Sequence, residues 1–550
     1  LDIFTAPSMQ LGSRASKKYS DPNAWHNQFY SLVTTKINEE IFKPLFPEGK
    51  KCGRPNASIR ILVAMSALKE GFGCSDEDLF EKCEFDLLTR KALGMELLTD
   101  VTPSIDTYYL FRRRICEYQE RTGIDLMQLC FEQLAGNQVR LLKISGKCVR
   151  MDSKLIGSNI ARQSRYELIH TTLVKFLKTC TLSDLSPEQE ERAKEYLKED
   201  SSKTVYRSDS DTLQSNLARI GNFIMEMLAT FPATSPAHDL LQRLFDEQYA
   251  VKDGKAVLRD KKEVKADSLQ NPNDPDATYR AKNDQKVQGY VTNITETVEE
   301  GKPNIITSVQ VETAVFADCH FLQEAVENSE RVTDSTIEDL YADGAYQSPD
   351  NREFAKNHNA MQLKTGKMQG GCRWELIPHD EDGLTVREIA TGNTYEAVKA
   401  VTKQGSRKRW RIPWNNKTGW RYFEDKDIKA YQLRKQIESL PLEEQHKRNN
   451  VEAAMFQYSF HTRKGKTRYR GLLKHRMHAY SRCMWMNLRR MVIFQISTFQ
   501  RSIFALFGPI REAFGSFKAI SRKIFTSGAD CYVSLRMTTL ARLDSKYVPF

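Results

Sequence analysis

KCVRMDSKLIGS, residues 147–158, opens on an apolar run and breaks off at a carboxylate. Lys143-Ile144 and then Cys148-Val149 read as a buried strand ending at Asp152, with Ser153, Lys154 and Gly157 close behind. A lone carboxylate at the end of a core strand suits a metal held over an active site. It serves equally as the cap of a helix starting near Ser158, and taken alone the cap is the more ordinary use. What stands downstream has to decide between them.

Downstream, strands resume after the polar linker SLQNPNDPDATYRAKNDQK. VQGYVTNITETVEEGKPNIITSVQVETA alternates and is rich in Val, Ile and Thr, with Glu-Gly-Lys-Pro at the turn, which predicts a β-hairpin. A helix over 317–328 follows. STIEDLYADGAY then gives a short strand ending at Asp343, with Gly344 directly behind it. A helix over 349–357 and the strand AMQLKT complete the series. From Gly146 the order is strand, long helical insertion, two antiparallel strands, helix, strand, helix, strand. Without the insertion this is the order of a ribonuclease H-like fold, a mixed sheet with helices on its faces. In that fold the metal carboxylates end the first and fourth strands, where Asp152 and Asp343 stand.

Upstream, residues 1–50 read as a polar arm and a packing helix, with Phe29, Leu32, Ile37, Ile41 and Phe42 near helical spacing. Residues 54–135 are helical. Ile59, Leu62, Val63 and Leu68 line one face, Gly71 and Gly73 end that helix, and Ser75 caps the next. A third helix follows Thr102-Pro103-Ser104, with the proline at its first position, and carries Arg112, Arg113 and Arg114. A compact helical unit with a polar-then-basic helix resembles a helix-turn-helix reader of DNA, which makes Arg112 and Arg113 candidate DNA contacts. The same arginines could simply solvate an exposed face. Residues 158–265 form an inserted bundle without a chemical motif. Ser186-Pro187-Glu188-Gln189 is a capping box, and Leu213, Leu217, Ile220, Ile224 and Leu228 keep helical spacing.

Residues 366–428 break the α/β pattern. Their alternation, with Gly, Asn and Pro at the turns, predicts a small β-rich insertion. Trp410, Trp414 and Trp420 lie among Arg407, Lys408, Arg409, Arg411, Lys417 and Arg421. Such aromatics can stack bases between cations, or fill the core of a small sheet. Helices then return. QHKRNNVEAAMFQYSFH, 445–461, sets Glu452 four residues after Arg448 on one face.

With 550 residues the chain needs several domains. A formal net charge of +11 favours an anionic partner, nucleic acid being the commonest. Eleven cysteines without a C-x-x-C pair argue against a zinc ribbon and a secreted disulfide framework. No signal peptide is visible after Leu1-Asp2-Ile3, so a cytoplasmic protein is expected. The apolar stretch 491–510 carries Gln495, Gln500 and Arg501, and reads as a core or interface helix rather than a membrane span.

Three carboxylates gathered from separate elements would repel one another without a counter-ion. Two Mg²⁺ ions, ~3.5–4 Å apart, would relieve that repulsion, activate an attacking oxygen and stabilise a leaving 3′-oxygen. No Ser or Cys nucleophile motif competes with this chemistry.

DSKLIGSN at 152–159, LYADGAYQS at 340–348, and RNNVEAAMFQYSF at 448–460 with RYRG and MNLRR behind it resemble the DDE transposases of bacterial insertion sequences. The likeness is greatest to the group with a β-rich insertion before the catalytic Glu. RPNASIRILVAMSALKEGFGCSDEDLFEKC, 54–83, resembles that group's amino-terminal helical domain. The resemblance spans roughly residues 20–500 and implies that Asp152, Asp343 and Glu452 bind two Mg²⁺ ions, with Mn²⁺ able to substitute. It implies that Arg448 contacts DNA and that one of the three tryptophans stacks on a flipped base. The group's Tyr-Arg-Glu-Lys pattern is only partly kept: Gln445 replaces its Tyr and Ser459 its Lys, so Arg463 or Lys464 would take over the phosphate contact.

The expected fold class is α/β (α+β, multidomain). The limits are an arm and helix (1–50), a helical DNA-binding domain (51–140), and a ribonuclease H-like core (141–165, 275–365 and 429–500). A helical insertion (166–274), a β-rich insertion (366–428) and a helical tail (501–550) complete it. The expected function is a transposase that binds the terminal inverted repeats of its element and target DNA as a homodimer, away from membranes. A nuclease that cuts without joining, and a silent transposase-derived DNA-binding protein, are the alternatives.

Overall fold

The computed structural model describes residues 7–46, 57–232, 235–282, 285–365, 372–379, 383–400, 408–414, 419–439, 441, 444, 447 and 451–513. The strands are β1 (Cys148–Gly157), β2 (Tyr249–Lys252), β3 (Lys255–Leu258), β4 (Thr278–Lys282), β5 (Gln285–Thr297), β6 (Ile306–Thr313) and β7 (Asp339–Ala342). They continue with β8 (Gln362–Thr365), β9 (Trp374–His379), β10 (Gly383–Glu388), β11 (Thr394–Glu396), β12 (Val398–Lys399), β13 (Arg409–Trp414) and β14 (Gly419–Glu424). The chain divides into two compact units, one of Leu1–Gly146, Ser153–Ser335 and Ala454–Phe550, the other of Lys147–Asp152 and Thr336–Ala453. β1 runs through the boundary, so Asp152 closes its part in the smaller unit.

In the smaller unit β1 pairs in parallel with β7, and β7 in parallel with β8. Helix Pro349–Asn357, capped by Ser348 and opened by Pro349, makes the β7–β8 crossover. The β-rich insertion follows as two antiparallel three-stranded sheets, β11-β10-β9 and β12-β13-β14. Trp374, Leu376, Leu384, Val386, Trp410, Ile412 and Phe423 form its core.

In the larger unit β4, β5 and β6 form an antiparallel set, and Ser158 N donates to Gln288 O (3.0 Å) where β1 runs out beside β5. Along the sheet the order is β4-β5-β1-β7-β8, with β6 also pairing β5. The sheet is therefore mixed. The segment between β1 and β4 folds on itself. Helices Arg165–Leu177, Pro187–Lys198, Ser210–Thr230 and Pro236–Gln248 bury Ile169, Leu173, Ile220, Phe223, Ile224 and Leu241 together. Its two ends are stitched. Ser158 Oγ donates to the Asp274 carboxylate, Asn271 Nδ2 donates to Ala161 O (3.1 Å), and Tyr290 OH donates to Asp274 Oδ1 (2.6 Å).

Helices Ile59–Phe72, Asp76–Phe85, Ile105–Thr122 and Leu126–Leu142 build the amino-terminal part of that unit. Helix Leu472–Ala513 packs on the first of them, and Trp485 rests against Trp25, Phe29 and Phe72 at ring distances of 5.4–6.1 Å. Gly71 does not end its helix; Gly73 does, in the left-handed conformation (φ 65°). Gly71 is needed for close approach instead, since a Cβ there would lie 2.3 Å from Trp485 Cδ2. Gly71→Ala should therefore cost about 1–3 kcal/mol through forced displacement of the indole, read as a lowered urea midpoint. An unchanged midpoint would mean that the indole can move aside freely.

Four local expectations are corrected. Lys143 is not in a strand: it terminates helix Leu126–Leu142 in the left-handed region (φ 52°), and β1 starts after Gly146. β1 does not stop at Asp152 but continues to Gly157, and the next helix begins at Arg165, under a Ser164–Glu167 capping box. Pro103 precedes the third helix, whose cap is Ser104. The linker hides β4, and the insertion contains the hairpin β2–β3. No described helix is long and apolar enough to cross a membrane.

Candidate active site

Parallel pairing aligns Cys148 with Asp339, Val149 with Leu340 and Arg150 with Tyr341. Two residues further along each chain stand Asp152 and Asp343. Asp343 lies one residue beyond β7 with an extended backbone (φ −76°, ψ 161°), so it stands two residues past the last β1–β7 pair, as Asp152 does on β1. Side chains alternate along a strand, so Arg150 and Asp152 share a face, as do Tyr341 and Asp343. Both aspartates are half-buried. Asp343 Oδ1 also accepts from Gly344 N (2.7 Å) and starts a short 3-10 turn.

Two ionised carboxylates side by side repel, and a cation between them relieves the repulsion. Hard carboxylate oxygens suit Mg²⁺, which takes few protein ligands and fills its octahedron with water and phosphate oxygens. The donor chemistry therefore fits a divalent ion at the paired aspartates. Glu452 stands in the first turn of helix Val451–Ser459, exposed, while Val451, Ala454, Met455 and Tyr458 bury the opposite stripe. Among the described residues no group of three or more His, Cys, Asp or Glu side chains is arranged to hold a metal ion. Glu452 is thus not assembled with the two aspartates in this arrangement.

The same face of β1, β7 and β8 carries a polar network that the sequence did not disclose. Tyr341 OH donates to the Glu444 carboxylate, Lys364 Nζ lies 3.1 Å from Glu444 Oε2 and 2.9 Å from Asp339 Oδ1, and Lys447 Nζ lies 2.7 Å from Glu444 Oε1. Lys447, Tyr341 and Lys364 together hold the Glu444 carboxyl down at about 2. Buried Arg150 donates from Nη1 to Lys447 O (2.8 Å). Tyr341 and Lys364 lie 103 and 80 residues from Glu444, and Arg150 lies 297 from Lys447, so no local pattern marks these contacts.

Arg448 lies outside the described residues, and of Trp414 only the backbone at the end of β13 is described. Ser459, where the resemblance expects lysine, accepts from Lys154 Nζ (2.7 Å), a residue that alternation puts on the Asp152 side of β1. Arg463 and Lys464 are exposed on a tight turn, with Lys464 at φ 51°, and Gly465 O in that turn accepts from Gly157 N (2.8 Å) at the end of β1. Arg113 is exposed and pairs loosely with Glu117.

Arg112 is not a surface contact. Its guanidinium lies over the rings of Tyr108 and Tyr469 at 5.4 and 5.3 Å, and near Asp76 (3.7 Å), so it braces the interior. Trp410 is also interior, 3 % exposed in the β-rich core, whereas Trp420 is 48 % exposed. Arg411 lies over the Trp420 ring at 4.3 Å and Arg409 over the Tyr422 ring at 4.0 Å. Cross-strand pairing of Arg411 with Tyr422, and of Pro413 with Trp420, puts these groups on the face of the sheet away from its core.

The chain is thus an α+β multidomain protein with a mixed sheet. Residues 18–114 match a family model described as a transposase domain (DUF772). That match supports a transposase. No curated protein and no solved structure matches the chain.

Proposed function

We propose that the chain is a DDE transposase of a bacterial insertion sequence with a ribonuclease H-like core, and that Asp152, Asp343 and Glu452 are its catalytic carboxylates. The observation that carries this reading is that Asp152 and Asp343 each stand two residues past the last β1–β7 pair on adjacent parallel strands, in a chain whose residues 18–114 match a transposase domain. The strand order agrees with the ribonuclease H-like arrangement. Bound to these carboxylates, two Mg²⁺ ions would activate the attacking oxygen and stabilise the leaving 3′-oxygen of a phosphodiester. The chain's residues do the rest. Asp152 and Asp343 present fixed oxygens, and Glu452 completes the set. Arg448, Arg463 and Lys464 neutralise backbone phosphates, while Arg113 adds a contact from the helical domain. Terminal inverted repeats and target DNA are the substrates. Handling two ends at once calls for a homodimer.

The test uses purified protein, Mg²⁺ and a supercoiled plasmid carrying the DNA ends that flank its own gene. Excised linear element together with joined product is the expected result. Cutting without joining would favour a nuclease, and end binding without cutting a silent DNA binder.

Trp420 is the aromatic we assign to an unpaired base. Trp420→Ala should weaken binding to a hairpin-ended or frayed DNA by about 1–3 kcal/mol in fluorescence anisotropy and leave blunt duplex binding nearly unchanged. Trp410→Ala should instead lower the unfolding midpoint. Equal loss on both DNAs would remove Trp420 from the base-stacking role.

A further inference from the structure

We propose that Glu444 is a positioning residue, a latch that ties the segment leading to Glu452 against the strand that carries Asp343. This inference rests on the reading of Asp152, Asp343 and Glu452 as catalytic carboxylates.

The argument begins from β7. Tyr341 stands two residues before Asp343 and points to the same face, and its side chain is buried. Lys364 is its partner on β8 in the parallel register, so its side chain rises on that face as well. Tyr341 and Lys364 therefore form a fixed donor pair, built on two hydrogen-bonded strands. The Glu444 carboxylate takes both donors, and Lys447 closes on its other oxygen. The Lys364 and Lys447 ammonium groups lie 5.3 and 5.8 Å from the Tyr341 ring centre, which packs the cations around the phenol. A second anchor is independent of Glu444, since Arg150, two residues before Asp152, donates to Lys447 O.

The chain is thus held at Glu444 by β7 and β8 and at Lys447 by β1, and Asp152 lies on β1 and Asp343 just past β7. Glu452 follows Lys447 by five residues. A third carboxylate on a separate helix can join the first two only if its helix starts from a fixed point. Asp152 and Asp343 need no such device, because backbone pairing aligns them. The anchors at Glu444 and Lys447 therefore limit how far Glu452 can stray from the two aspartates. Lys364 also pairs with Asp339, which keeps its ammonium in place when Glu444 is absent. Losing Glu444 therefore frees the segment without dismantling the sheet.

Two variants test the latch in the full-length protein. Glu444→Gln keeps the shape and removes the charge, and Tyr341→Phe removes one hydrogen bond. Hydrogen exchange over residues 451–459, without DNA or metal, should quicken about tenfold in Glu444→Gln and less in Tyr341→Phe, since charge-assisted hydrogen bonds contribute most. The Mg²⁺ concentration giving half-maximal end cleavage should rise several-fold in Glu444→Gln, with cleavage at saturating Mg²⁺ largely restored. Unchanged exchange overturns the latch. Faster exchange with an unchanged Mg²⁺ requirement overturns its positioning role and leaves a structural tether. If the wild-type chain cleaves nothing at any Mg²⁺ concentration, the catalytic reading fails and the positioning role with it, while the exchange difference still decides whether the tether exists.

Discussion

Asp152→Asn and Asp343→Asn should each lower end cleavage by at least about 10³-fold while leaving end binding within about twofold. A carboxylate that holds a divalent ion at a reacting phosphodiester contributes several kcal/mol to the transition state, and each ~1.4 kcal/mol is a factor of ten. Asn keeps the shape and loses the charge, so the sheet should keep its register. At Asp343 the amide oxygen can still accept from Gly344 N, which preserves the turn. Cleavage is read on labelled end DNA under single-turnover conditions and binding by anisotropy on the same DNA. Equal cutting by Asp152→Asn would remove the active site proposed here. Loss of binding in proportion to cutting would reassign the aspartates to folding.

The second large effect lies in the larger unit, at Glu70. Its Oε2 lies 2.7 Å from His478 Nδ1, its Oε1 accepts from Tyr469 OH, and its backbone oxygen accepts from Arg482 Nη1 (2.9 Å). Burial by itself would raise the Glu70 carboxyl, but His478, Lys69 and Tyr469 outweigh it and bring it to about 2. Glu70→Ala leaves the backbone contact to Arg482 but strands His478 and Tyr469, and should cost about 3–5 kcal/mol. The depressed carboxyl fixes the sign of the pH dependence. Its contribution is fully present above the ordinary value of 4.5 and is lost as pH falls from there towards 2. The stability gap between wild type and Glu70→Gln, from urea unfolding, should be constant from pH 7 to 5 and shrink below 4.5. A gap independent of pH down to 3 would mean that folding does not lower the Glu70 carboxyl.

The parts of this fold that were legible in the sequence are those set by local patterns. Ser75 and Ser186 announce their helices because a cap is a contact across three residues. The β5–β6 hairpin shows because Val, Ile and Thr alternate around a turn. The pairing of Asp152 with Asp343 was legible only through the order of elements, since 190 residues separate the two. The roles of similar residues were not legible where long-range partners choose the face. The run Arg112–Arg114 is uniform, yet Tyr469 takes Arg112 inside and leaves Arg113 out. Trp410 and Trp420 look alike in sequence, but the β13–β14 register sends one to the core and the other to the surface. β1 continues past Asp152, Ser153 and Lys154, which look like a stop in sequence, because a strand tolerates a polar run when its neighbours supply the hydrogen bonds.

The bundle that interrupts the sheet enters at Ser158 and leaves at Asp274, and those two side chains touch. For the sheet, a detour of more than a hundred residues is equivalent to a tight loop. The bundle meets its own ordering entropy from its own core, and closure costs grow only slowly with length. Such a segment is a cassette. Lineages can lengthen, replace or discard it without retuning the strands on either side, and a short glycine-serine bridge between residues 162 and 270 is the place where an engineer would cut.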